Sequence, residues 1–106
     1  MDLTNTPLPQ VDLVLCRDCL FHLSFDMIAA ALRNIRNSGS RWLLATTHTW
    51  LAMDNVDIVP GYFRKLNLRL PPFNLPPPLE TIVEGNYERE GFEADRAMCL
   101  WSCRDL

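Results

Sequence analysis

Two apolar runs flank one amphipathic stretch in the first half of the chain. Val11 to Cys16 (VDLVLC) is nearly all apolar and is bounded by Pro9 and by Arg17-Asp18. Such a run, without polar alternation, predicts a strand buried on both faces, as in a parallel sheet. A short loop, Arg17 to Leu23, leads to Ser24, whose hydroxyl suits a helix N-cap; Asp26 adds negative charge to the first turn. Phe25, Ile28, Ala29, Leu32 and Ile35 then recur at helical spacing and make one apolar stripe. Arg33 and Arg36 sit where the helix dipole favours positive charge, and Asn37-Ser38-Gly39-Ser40 ends the helix, with Gly39 able to turn left-handed. Trp42 to Thr47 (WLLATT) is a second apolar strand. Strand, helix and strand in this order predict a right-handed βαβ unit over residues 11–47 with its two strands parallel.

The pattern then breaks. Residues 48–78 hold six of the eight prolines and several aromatics, with no clean period. Asp54 to Phe63 is the place for a turn or a short helix, and Pro71 to Pro78 reads as extended or polyproline-like. Phe73 and Leu75 within it suggest a segment that packs onto the domain. Leu79 to Glu84 (LETIVE) alternates as a strand does, Gly85 to Asp95 reads as a polar hairpin loop, and Ala97 to Cys103 (AMCLWSC) is a final strand. The fold class expected is α/β: a partial doubly wound sheet in which a βαβ unit is followed by an antiparallel strand pair over residues 79–106. Residues 1–10 are a polar lead-in, and the whole chain, 1–106, reads as a single partial domain.

A first strand as apolar as Val11 to Cys16 is normally central, with a neighbour on each side. The βαβ unit supplies one neighbour. The other edge must be covered by another segment, by another chain, or by residues upstream of Met1, because an open apolar edge invites association.

Composition narrows the function classes. The formal net charge is −3 and Lys65 is the single lysine, which argues against binding a nucleic-acid backbone. The apolar runs are too short to span a membrane. Met1 to Thr6 carry neither a basic n-region nor an apolar h-region, so no secretory signal is expected and the location expected is cytoplasmic, with reduced thiols. Cys16 and Cys19 with Cys99 and Cys103 have the count of a zinc set, but no glycine knuckle follows either pair. The preferred reading takes Cys16 and Cys99 as small core residues, with no metal. There is no P-loop, no H-E-x-x-H and no Ser/His/Asp signature.

The run Asp12 to Leu23 (DLVLCRDCLFHL), the run Gly39 to Thr47 (GSRWLLATT), Leu66-Asn67-Leu68 with Pro71 to Pro77 (PPFNLPP), and the closing Leu100-Trp101 resemble the C-terminal half of a class I S-adenosylmethionine-dependent methyltransferase. Within that class they are similar to small bacterial methyltransferases of unassigned substrate. The resemblance implies a sheet whose last strand is antiparallel, with this chain supplying its second half. It implies S-adenosylmethionine as cofactor and an unassigned methyl acceptor. Cofactor-binding positions would be Asp2, near the adenine amino group, and Cys16, Arg17 and Asp18, bordering the methionine part beyond a strand's carboxyl end. Substrate-side positions would be His22, Thr47 and His48, with Thr46 beside them; apart from the resemblance, the aromatics Tyr62 and Phe73, with Trp50 and Phe63, are candidates to wall a substrate pocket. The glycine-rich loop and the acidic residue that hold the cofactor in that family have no counterpart here, and there is no G-x-G in these 106 residues. The chain is therefore expected to resemble half an enzyme, inactive alone, from a truncated gene, a split enzyme or a re-used half-domain. Its expected partner is an N-terminal half or a second copy.

Each residue also has a plainer reading. Arg17 and Asp18 would make a surface ion pair, His22 and His48 would be packed histidines, and Trp50, Tyr62, Phe63 and Phe73 would pack an irregular segment. Arg64, Lys65 and Arg69 would attract an anion or form a solvated face. Methyl transfer relies on alignment of nucleophile, methyl and sulfur more than on a catalytic group, so the acceptor is not legible. Two readings remain: methyl transfer by the substrate-side half of such a fold, or a non-catalytic module that dimerises through the edge of its first strand.

Overall fold

The computed structural model describes residues 3–83 and 95–106. The strands are β1 (Leu13–Cys16), β2 (Trp42–His48), β3 (Glu80–Val83) and β4 (Arg96–Ser102), and the helix is α1 (Phe25–Asn37). Short 3-10 turns lie at Leu20–His22 and Cys103–Asp105. Among the described residues the strands form one mixed sheet in the order β1-β2-β4-β3. β1 and β2 are parallel, with Leu13 opposite Trp42 and Cys16 opposite Ala45. β4 is antiparallel to both its neighbours, β2 and β3. The α/β class, the parallel pair and the antiparallel pair are as the pattern predicts. Residues 85–94 of the expected hairpin loop lie outside the described residues, as do Glu84 and Asp2.

α1 forms where the periodicity places it. Ser24 Oγ accepts the Met27 N–H at 3.3 Å, and Gly39 follows the helix at φ 75°. A second cap comes from far along the chain, because the Asp57 carboxylate accepts the Phe25 N–H at 2.8 Å. The buried face is Ile28, Ala31, Leu32 and Ile35, so the apolar stripe runs through Ala31 and leaves Ala29 exposed.

Side chains alternate across a sheet, so the register sorts them into two faces. Val14, Cys16, Leu43, Ala45, Ala97, Cys99 and Trp101 share the face that meets α1 and form most of the core with Leu66, Leu68 and Leu75. Leu13, Leu15, Trp42, Leu44, Leu100 and Ile82 share the opposite face. Leu13, Leu15 and Ile82 are 47%, 62% and 59% exposed. The expectation that the first strand is buried on both faces is therefore corrected. β1 has four residues, stands at the sheet edge and is buried on the α1 side alone. Its composition asks for cover on two sides, and the described residues provide one.

The irregular segment lies against the core face, where side chains satisfy its backbone polar groups. Thr47 Oγ1 donates to the Leu66 carbonyl at 3.2 Å and accepts the Leu68 N–H at 3.1 Å. Asn55 Oδ1 accepts the Asn67 N–H at 2.8 Å, and its amide donates to the Asn67 and Pro71 carbonyls at 2.8 and 2.9 Å. The Trp101 indole donates to the Pro76 carbonyl at 2.7 Å. Residues 54–63 contain a turn at Pro60-Gly61 and no helix.

Candidate functional site

The chain leaves the carboxyl end of β1 through a turn at Arg17-Asp18, where Asp18 has φ 51°. Aspartate tolerates this left-handed conformation better than most residues. The Asp18 N–H donates to Thr46 Oγ1 at 2.9 Å, which ties the turn to β2. The Asp18 carboxylate pairs with the Arg96 guanidinium at the start of β4. Arg96 also lies over the Phe21 ring, 5.6 Å from its centroid. The pair is part-exposed, so it adds at most about 1 kcal/mol of stability. It nonetheless ties the start of β4 to this turn. Cys16 points into the core, and Cys19 follows the turn half-buried.

Next along the loop, His22 Nδ1 donates to the Tyr62 carbonyl at 3.0 Å, while the Gly61 N–H donates to the His22 carbonyl at 2.9 Å. The Tyr62 ring itself is exposed. His48 is fully buried between Phe21 and Phe63, with ring centroids 5.9 and 6.1 Å away. Its Nδ1 lies within hydrogen-bond distance of both the Leu66 N–H, at 3.0 Å, and the Leu66 carbonyl, at 3.3 Å. Beyond Thr47 and His48 lies a cavity of about 270 Å³, bounded by Arg69, Pro78, Thr81, Cys99 and Trp101. Phe73 is elsewhere: it packs edge-on against Phe25 at 5.4 Å and borders a groove along α1.

The sequence-predicted residues thus fall in three places. Arg17, Asp18 and His22 lie on the loop after β1. Thr47 and His48 face the irregular segment, and Phe73 belongs to the α1 packing. Arg96 and Asp95 join the site without having been singled out as functional residues. Arg96 is separated from Asp18 by 78 positions, and no local pattern links them. Among the described residues no group of three His, Cys, Asp or Glu is placed to hold a metal, and no helix is long and apolar enough to cross a membrane.

Asp95 clamps the start of the irregular segment. Its carboxylate meets Lys65 Nζ at 2.7 Å and accepts the Trp50 and Thr49 N–H groups at 2.9 and 3.2 Å. Partial burial pushes this carboxyl up, but the Lys65 and Trp50 hydrogen bonds and the Lys65 and His48 charges outweigh it, so its pKa lies below the ordinary value. A lowered folded-state pKa stabilises the fold above the unfolded pKa, and that contribution disappears as pH falls through the folded one. Asp95→Asn is therefore expected to be less stable than the wild type at pH 7, with the gap closing below about pH 4. Urea midpoints across that range check this; a gap that persists at pH 2 would show that the carboxylate charge is not the cause.

The side chains at the end of β1 engage one another. Cys16 is in the core, the Asp18 carboxylate is taken by Arg96, and the Asp18 N–H is taken by Thr46. Taken alone these engaged side chains do not fit S-adenosylmethionine. No protein-family model, characterised protein or solved structure matches this chain.

Proposed function

We propose that this chain is the substrate-side half of an S-adenosylmethionine-dependent methyltransferase fold, with the cofactor loop supplied by residues outside this sequence. The observation that carries the reading is the sheet. A parallel pair, whose carboxyl ends carry the Arg17-Asp18 turn and Thr46 to His48, is continued by a last strand antiparallel to both neighbours. Ligands of open α/β sheets bind beyond such carboxyl ends. The partly exposed β1 marks where the missing half would join. The methyl acceptor would approach from the side of His22, Thr47 and His48. His22 is the candidate base if the acceptor must lose a proton.

Calorimetric titration with S-adenosylhomocysteine tests the reading. The chain alone is expected not to bind, and a mixture with a polypeptide carrying the G-x-G half is expected to bind saturably. A folded mixture that does not bind would sink it.

The second reading is an interaction module that dimerises through β1. The exposed Leu13 and Leu15 on an edge strand favour it. Here Leu15→Lys is the decisive variant. If β1 mediates self-association, sedimentation equilibrium is expected to show the wild type as a dimer and the variant as a monomer. Equal masses for the two proteins would exclude the β1 edge.

A further inference from the structure

Cys19 is used by neither reading above and Cys16 only as a border of the cofactor position, yet their placement together is specific. Cys16 closes β1, Arg17 and Asp18 form the turn, and Cys19 follows it. The ends of such a turn lie within about 7 Å between Cα atoms. That overlaps the separation a disulfide spans. Cys16 and Cys19 thus stand at the two ends of one tight turn, with nothing but Arg17 and Asp18 between them in the chain. They differ in access: Cys16 is 5% exposed and belongs to the core, whereas Cys19 is half-buried. We propose that Cys16 and Cys19 are a reversible dithiol–disulfide pair that reacts with low-molecular-weight disulfides of the glutathione type, Cys19 attacking first and Cys16 resolving.

The surroundings support these roles. A hydrogen bond from the Cys16 thiol, together with the nearby His22, outweighs partial burial and holds the Cys19 thiol below its ordinary value. The same hydrogen bond and burial push Cys16 up. The other charged groups at the turn are Arg17 and Asp18, with Arg96 reaching across from β4 to pair with Asp18. Burial pushes both Cys99 and Cys103 up, and neither is exposed. A thiolate at neutral pH is the reactive form, so attack is selective for Cys19.

The chemistry closes in two exchanges. Cys19 thiolate attacks one sulfur of the small disulfide, a Cys19 mixed disulfide forms, and one thiolate leaves and is protonated. Cys16 then loses its proton and attacks Cys19 Sγ. The intramolecular S–S bond forms and the second thiolate leaves. Overall the small disulfide is reduced to two thiols and the Cys16–Cys19 pair is oxidised by two electrons. The inference is independent of methyl transfer, since it needs only this loop.

The test uses oxidised glutathione at pH 7 followed by tryptic mass mapping under non-reducing conditions. Cleavage after Arg17 separates the two cysteines, so a bond between them appears as two joined peptides. The wild type is expected to give those joined peptides with Cys99 and Cys103 unmodified. Cys16→Ser is expected to stop at the glutathione adduct of Cys19. Because Cys16 is in the core, a measurement on the unaltered chain accompanies it. Iodoacetamide labelling of Cys19 is expected to be at least 10-fold faster at pH 7 than labelling of Cys99 or Cys103. Equal labelling of the cysteines overturns the proposal, and so does a persistent Cys19 adduct in the wild type.

Discussion

Trp101→Ala is expected to leave this chain without a cooperative unfolding transition. Trp101 is 1% exposed, lies opposite Leu43 in the β2–β4 pairing, and faces α1 from the centre of the sheet. Truncating such a side chain costs about 3–5 kcal/mol through lost transfer energy and the cavity left behind. The indole N–H also holds the Pro76 carbonyl at 2.7 Å, so the variant removes the anchor of the proline-rich segment. Domains of this size are stabilised by about 5–15 kcal/mol in total. A sheet with one apolar face part-exposed belongs near the lower end, so a single loss of this size consumes most of the margin. Urea titration followed by far-ultraviolet circular dichroism reads the result. Trp101→Phe keeps a ring in the core while losing the donor and part of the volume; a smaller decrease, of about 2 kcal/mol, is expected. If Trp101→Ala unfolds with a midpoint within about 1 kcal/mol of wild type, the core does not depend on this residue.

Arg64→Ala is expected to destabilise the fold by about 2–4 kcal/mol. Arg64 is 7% exposed, unusual for a guanidinium. Nε donates to the Val56 carbonyl at 3.0 Å and Nη1 to the Phe21 carbonyl at 2.8 Å. The guanidinium stands 5.6 Å from the centroid of the Phe25 ring. It thus joins three parts distant in sequence: the loop after β1, the first turn of α1 and the irregular segment. Burial lowers its pKa and the nearby Asp57 carboxylate opposes that shift, yet an arginine remains charged at any pH where the fold exists. Nη2 has no hydrogen-bond partner among the described residues, so the charge is held at some cost and the two carbonyls it serves have the most to lose. Arg64→Met keeps an unbranched stem beside Phe25 but offers no donor. It is expected to fall between the wild type and Arg64→Ala. Chemical denaturation of the three proteins side by side decides: a loss below about 1 kcal/mol in Arg64→Ala would mean that water replaces the guanidinium without penalty.

Both residues bear on what can be read along the chain. Trp101 is legible as core from its place in AMCLWSC, one apolar residue among several in a strand. Arg64 reads from its neighbours Phe63, Lys65 and Arg69 as part of a solvated or anion-attracting face, and the structure buries it. Nothing within a few residues distinguishes a cation that will meet water from one that will meet the Phe21 and Val56 carbonyls. His48 shows the same limit: a histidine after an apolar strand suits a ligand-facing end or a packed ring. Contacts with Phe21, Phe63 and Leu66, each well separated in sequence, pack the ring here, while the residue still borders the cavity beside Thr47. The Cys16–Cys19 spacing was visible, but its two thiols became unequal only when β1 carried Cys16 into the core.

Periodicity and end signals were enough for α1, the parallel β1–β2 pair and the antiparallel β3–β4 pair, because each depends on side chains a few positions apart. Ser24, Gly39 and the apolar stripe act within one helix, and strand alternation acts within one strand. The order β1-β2-β4-β3, the exposure of Leu13, Leu15 and Ile82, the Asp18–Arg96 pair and the buried Arg64 needed the tertiary structure. These features depend on which distant segments share a sheet or a surface. Hydrophobic pattern states that a side chain favours burial; only the arrangement of the remaining chain states what covers it. In β1 that arrangement covers one face and leaves the other partly open.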